Sequence, residues 1–251
     1  FTNFAPLQAY TWDVAGSLAG IVLFSVQSMA GSGPVTWVIT GMLLLGAGWI
    51  ADDRPGARRE AARMLLSCLC VVLLLLSART GTPTQWSTYQ KLTLKHDASG
   101  LNIVFANGIV HQFMHPAAQA GAAYYGEPYR QAAAAGVPLD DVLVIGAGSG
   151  TDVAVALAYG AKSVDAVEID GRIVDWGRAL HPDAPYHDAR VHVHVTDGRK
   201  YLQETRQRYD LIVFALPDSL MRLSAISNIR LESFLFTLEA FAAARARLKE
   251  G

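Results

Sequence analysis

The chain has 251 residues, 21 Lys and Arg against 22 Asp and Glu, and 51% apolar residues. That length admits one or two domains, and the near-neutral balance leaves no basic footprint for nucleic acid. Cys68 and Cys70 sit inside an apolar run, which predicts packing rather than a disulfide or a metal centre.

Nearly all of the apolar excess lies before residue 80, and no lysine precedes Lys91. Stretches from about Val14 to Ala30, Val35 to Ile50 and Met64 to Ser77 contain no Asp, Glu, Lys or Arg. They predict a transmembrane region of about three helices over residues 1–80, each near the short end of what crosses a bilayer. Gly16, Ser17 and Gly20 would let helices approach closely, and Trp12, Trp37 and Trp49 fall near the ends, where interfacial aromatics belong. Arg54, Arg58, Arg59 and Arg63 mark the loop after the second stretch as cytoplasmic. A single further crossing would then carry the rest of the chain outside, whereas a domain using a cytosolic ligand needs the inside. The expectation adopted is an integral protein of the inner or plasma membrane, in contact with the lipid bilayer, with its soluble domain cytoplasmic. The chain starts at Phe1 and stops at Gly251 in mid-pattern, so a fragment of a longer protein is expected, its last domain incomplete at the C-terminus.

A small β section is predicted over residues 85–115. Ser87 to Leu94 reads as a strand, and Leu101–Ala106 and Ile109–Phe113 flank Asn107-Gly108, a strong hairpin signal. Residues 116–251 then read as an α/β Rossmann-like, doubly wound domain of methyltransferase type. A helix over Arg130–Ala135 is stopped by Gly136-Val137-Pro138. Val142–Ile145 is a continuous apolar run, as a central parallel strand requires. Strands at Ser163–Val167, Val191–Val195 and Tyr209–Phe214 alternate with helices at Val153–Ala158 and Arg172–Leu180, and Ser233–Lys249 reads as an amphipathic helix.

Gly146, Gly148 and Gly150 form a tight turn after the first of these strands, where glycine lets backbone approach a ligand. Thr151 and Asp152 can cap the following helix, and a nucleoside-type ligand would sit over its N-terminus. Glu168 ends the second strand about 20 residues on, the place of an acid for ribose hydroxyls. Asp197 follows the third strand and can accept from an adenine amino group, with Gly198 giving room; a turn acid or helix cap is the alternative. Asp170 reads as a helix cap. Asp218, the carboxylate of Leu216-Pro217-Asp218-Ser219, can orient or deprotonate a nucleophile or simply form the turn. Arg230 and Glu232 are either a capping pair or a substrate clamp. His192 and His194 share one strand face, and without a third ligand they predict no metal site.

From about Trp86 to Gly251 the chain resembles the polyamine aminopropyltransferases, the spermidine synthase family. The resemblance rests on Tyr89-Gln90, Asn107-Gly108, Tyr125-Gly126-Glu127, the glycine turn, Glu168-Ile169-Asp170, Asp197-Gly198-Arg199 and Tyr209-Asp210, in matching order and spacing. It implies a β domain followed by a Rossmann-like domain, and transfer of an aminopropyl group from decarboxylated S-adenosylmethionine (AdoMet) to an amine such as a polyamine. It also implies that Gln90 and Ser149 face the cofactor, Glu168 the ribose and Asp197 the adenine. The apolar N-terminal region resembles the membrane-anchored branch. Three positions depart from the pattern: Ser149 replaces a loop acid, Gly126 a histidine, and Ala215 the first acid after the fourth strand. Asp152 is the expected substitute for the loop acid. Alternatives are an AdoMet-dependent methyltransferase, favoured by Ser149, and a non-catalytic cofactor-binding membrane protein, favoured by Ala215. A homodimer is compatible with all three, and no metal is expected.

Overall fold

The computed structural model divides into two units, Phe1–Gln90 and Lys91–Gly251, and describes residues 5–50, 56–77, 84–215 and 235–250. The first unit holds helices α1 (Pro6–Met29), α2 (Pro34–Ile50) and α3 (Ala57–Ser77) and a short strand, β1 (Thr84–Trp86). Pro6 opens α1, where its missing N–H is no loss. Most of the apolar surface of α1 faces outward, including Leu18, Ile21, Val22 and Phe24. Among the described residues α1 is the one helix long and apolar enough to cross a membrane, with a mean hydropathy of 1.3; the apolar part of α2, Pro34–Gly48, is shorter. Three helices form where three were predicted, but α3 starts in the charged run before Met64.

The second unit opens with an antiparallel meander of β2 (Lys91–His96), β3 (Asn102–Ala106) and β4 (Ile109–Phe113). The strand predicted from Ser87 begins instead at Lys91, because the Ser87 hydroxyl accepts the N–H groups of Tyr89 and Gln90 (3.1 Å each) and folds that segment into a turn. Asn107 and Gly108 take φ of 52° and 85°, the left-handed pair that a two-residue hairpin needs. Val104 pairs with Gln112 but Phe105 with Val110, so His111 is an extra residue in β4. Such a bulge bends the strand and re-aims the side chain beside it.

Helices α4 (Ala117–Ala122) and α5 (Glu127–Ala134) lead into β5 (Asp141–Ile145), α6 (Thr151–Ala158), β6 (Ser163–Glu168), α7 (Gly171–Leu180), β7 (Val191–Val195), α8 (Gly198–Glu204), β8 (Leu211–Phe214) and α9 (Leu238–Arg245). The four strands are parallel in the order β7-β6-β5-β8, a doubly wound half-sheet whose ligand crevice lies at the carboxyl ends of the strands. Alternation along β5 explains its unbroken apolar run. Val142 and Val144 pack with Tyr129, Val153 and Val155, whereas Leu143 and Ile145 pack with Leu202 and Ala244. The meander rests on α7 through Leu92, Leu94, Val104, Ile173 and Trp176. The last helix is shorter than predicted: Thr237 caps it by accepting the Ala240 N–H (3.2 Å), and Leu248 pairs with Tyr209 as an isolated parallel bridge. His194 binds Asp165 (2.7 Å), whose other oxygen accepts from the Tyr209 hydroxyl (2.7 Å), so this histidine joins β7 to β6.

Two features fix the stretch after β5. Gly177, in the middle of α7, lies so close to the Ser149 backbone that a Cβ would collide with it. His181 is buried, and its Nδ1 accepts the Asp183 N–H (3.2 Å). The proton therefore belongs on Nε2, which donates to Thr151 Oγ1 (3.4 Å), and Thr151 donates to the Phe113 carbonyl (3.0 Å). Burial lowers the His181 pKa to about 4, outweighing the nearby Asp183 charge. The unfolded chain thus binds the extra proton first as pH falls from about 6.5 toward 4, and the neutral-histidine contribution is lost across that window. We expect the unfolding free-energy gap between wild type and His181→Gln to shrink by about 3 kcal/mol between pH 7 and pH 4, measured by urea titration. A constant gap would remove His181 from the relay.

Candidate active site

Gly146, Gly148 and Gly150 take φ of 78°, 57° and 104°, the left-handed region that favours glycine. Space as well as conformation demands glycine at two of them. A Cβ at Gly148 would lie 2.5 Å from Gln112 Oε1, and one at Gly150 would lie 2.7 Å from Pro185 Cγ. The turn ends in α6, whose dipole makes that end electropositive.

Glu168, at the tip of β6, is 8% exposed. One carboxylate oxygen accepts the Gly148 N–H and the other the Asp170 N–H (2.9 Å each). Burial raises its pKa; the N–H groups of Asp170 and Gly148 oppose that, and the Asp170 charge adds to it. The acid and the glycine turn are therefore one hydrogen-bonded unit. Each carboxylate oxygen can accept a further proton, as two neighbouring ribose hydroxyls would require, so this unit fits the sugar of a nucleoside.

Asp170 caps α7 through the Arg172 N–H (3.0 Å), and its second oxygen is buried with no partner among the described residues. Asp197 caps α8 by accepting the Lys200 N–H (2.8 Å), which leaves its other oxygen. A Cβ at Gly198 would strike Ile145 Cγ2, so the sheet itself requires glycine there. Ser149 is 1% exposed, and its hydroxyl has no partner among the described residues. Asp152 lies in the first turn of α6 and is half-buried. The groups packed around its carboxyl exclude water more thoroughly than that partial exposure conveys, and this desolvation raises its pKa to about 7. Ala215 is buried beside the turn, its carbonyl 3.7 Å from a Cβ placed on Gly146. Gln90 closes the first unit, where its carbonyl accepts the Ser87 N–H (3.0 Å). Asp218, Arg230 and Glu232 lie outside the described residues.

The structure adds two residues that the sequence reading missed. Gln112 accepts the Ser149 N–H on its side-chain oxygen (2.6 Å). Only the bulge at His111 aims it there, and no local pattern announces a bulge. Tyr186, in the short 3-10 turn Pro185–His187, donates its hydroxyl to the carbonyls of Gly148 (2.6 Å) and Ala147 (3.2 Å). Around Tyr125-Gly126-Glu127 the finding is different. A Cβ at Gly126 would collide with the Gly121 carbonyl oxygen and lie 2.6 Å from both Arg130 Nη1 and the Tyr159 hydroxyl. Glu127 pairs with Arg130 (2.9 Å) and accepts from Gln131 (2.6 Å); those two partners, Gln131 first, hold its carboxyl below the usual range. The Gly121 carbonyl, with the guanidinium that donates to it (2.8 Å), thus fills the space that a side chain on residue 126 would need.

Residues 132–251 match the family model described as the Spermine/spermidine synthase domain. A polyamine aminopropyltransferase of Thermoplasma volcanium is 32% identical over 83 residues, 32% of this chain and 30% of that protein. One of Clostridium beijerinckii is 38% identical over 78 residues, 30% of this chain and 28% of that protein. The chain thus matches under a third of the length of these curated relatives. A crystal structure of spermidine synthase in complex with the transition-state analogue AdoDATO superposes with a TM-score of 0.50 at 18% identity, over 64% of this chain and 52% of that one; this likeness is one of fold. The glycine turn, Glu168 and Asp197 all lie inside the stretch that matches the Spermine/spermidine synthase domain model.

Proposed function

We propose that the protein is a membrane-anchored, spermidine synthase-like transferase that moves an aminopropyl group from decarboxylated AdoMet to an amine acceptor such as a polyamine. The observation that carries this is the Glu168 carboxylate joined to the Gly148 N–H at 2.9 Å, within a matched spermine/spermidine synthase domain. Glu168 holds the ribose hydroxyls, and the Asp197 oxygen not engaged by Lys200 N–H accepts from the adenine amino group. The turn from Gly146 to Gly150 lets the nucleoside approach the backbone. Gln90 and Gly198 belong to the same assignment.

Decarboxylated AdoMet supplies a carbon activated by the adjacent sulfonium; the amine lone pair forms the N–C bond, the C–S pair stays on sulfur, and methylthioadenosine leaves. The remaining work is orientation and proton handling by this chain. The acceptor amine must be neutral to attack, and its proton must reach a base. Asp218 is the assigned base and Asp152 the carboxylate that meets the aminopropyl ammonium. A second reading, methyl transfer from intact AdoMet, draws support from Ser149, because an uncharged residue in the turn does not repel the carboxylate of that cofactor. Anchoring rests on α1, whose exposed apolar side chains and length suit a bilayer.

Calorimetry on the full chain in detergent tests the function. We expect decarboxylated AdoMet to bind more tightly than AdoMet, and Glu168→Ala to weaken either by at least about tenfold. The reverse preference would move the reaction to methyl transfer, and unchanged affinity in Glu168→Ala would remove the ribose assignment. If Asp152 meets the ammonium, the advantage of decarboxylated AdoMet over uncharged methylthioadenosine should grow as pH rises through about 7, where this carboxyl ionises. Asp152→Asn should abolish that trend; a trend that persists would exclude Asp152. Anchoring predicts that the full chain stays with the membrane pellet after an alkaline carbonate wash, and release into the supernatant would contradict it.

A further inference from the structure

We propose that Tyr186 is a positioning residue for the nucleoside pocket, acting by fixing two successive peptide groups of the glycine turn. The inference rests on the nucleoside-binding reading for its purpose, but its geometry is independent of any ligand.

A trans peptide is planar, with its carbonyl and N–H pointing in opposite directions. To hold one end is to aim the other. The peptide between Ala147 and Gly148 has its oxygen 3.2 Å from the Tyr186 hydroxyl and its N–H 2.9 Å from Glu168. The next peptide, between Gly148 and Ser149, has its oxygen 2.6 Å from the same hydroxyl and its N–H 2.6 Å from Gln112. The single phenolic hydrogen is thus shared between the carbonyl ends of both planes, closely with Gly148 and more weakly with Ala147, while the two N–H groups point to Glu168 and Gln112.

Such an anchor is needed because of the glycines. Gly146, Gly148 and Gly150 all have positive φ, and glycine crosses between backbone regions at little cost. A flip of either peptide would break its N–H bond to Glu168 or Gln112 and turn a carbonyl oxygen toward that acceptor, displacing a side chain of the pocket. Tyr186 is placed to prevent it. The residue is 6% exposed, and its ring lies 3.4 Å from the position of a Cβ on Gly150, so it packs against the turn as well as bonding to it. Burial pushes its phenol well above the usual pKa, which keeps the hydroxyl a donor at any working pH.

The test is Tyr186→Phe, which keeps the ring and removes the hydroxyl, studied in the full chain in detergent. Two readouts are taken: amide hydrogen exchange without ligand, and calorimetric affinity for methylthioadenosine. We expect faster exchange confined to Gly148 and Ser149, with helices α6 and α7 unchanged, and about tenfold weaker binding. Exchange that rises evenly through the second unit would overturn the proposal, since it marks a packing role only. So would exchange and affinity equal to wild type. If wild type itself fails to bind methylthioadenosine, the proposed function falls, yet locally faster exchange in the variant would still support the anchor and unchanged exchange would refute it.

Discussion

The second unit is organised by one buried carboxylate. Glu168 accepts one N–H from the turn after β5 and one from the residue that caps α7. It thereby joins the ends of two adjacent strands and the starts of the two helices that follow them. Removing water from a carboxylate is costly unless donors replace it, and here backbone donors do so. The sheet order brings β5 beside β6, and the glycine turn brings the Gly148 N–H within reach. Strand pairing and turn conformation thus converge on this one carboxylate, and together they set the electrostatics of the site.

Much of this was legible from residue order. The apolar run of β5, the glycines, Glu168 and the Asn107-Gly108 hairpin each have a local cause, and local causes leave local patterns. What stayed hidden depends on distance in the chain. Gln112 reaches the turn only because β4 contains one residue more than its partner β3 demands. Tyr186 reaches it from 38 residues away. The start of β2 was misplaced for another reason: the Ser87 hydroxyl competes with the strand ladder for backbone N–H groups, and composition does not reveal which wins. Among the apolar stretches, composition gave the existence of three helices but overstated how alike they are.

The departures from the spermidine synthase pattern fall in one direction. Ser149 and Ala215 are both buried and uncharged, and both border the turn. Arg130 adds a cation around residue 126, already balanced by Glu127. Among the described residues, negative character near the turn comes from Glu168, from Asp170, whose second oxygen has no partner among those residues, and from Asp152. A carboxyl that ionises near pH 7 carries a charge that depends on its surroundings. In the proposed reaction the donor side of the pocket is therefore less committed to a cation than the pattern implies.

Gly177 has a consequence of its own. In a helix interior glycine costs about 1 kcal/mol relative to alanine, and α7 bears that cost where it crosses Ser149. The absence of a side chain lets the helix backbone lie directly beneath the turn as a hard floor. Tyr186 and Gln112 restrain the turn from its flanks, and α7 blocks retreat. A turn so confined is held in one backbone conformation. A methyl group at residue 177 would thus act as a wedge from behind, reshaping the pocket without touching anything bound in it.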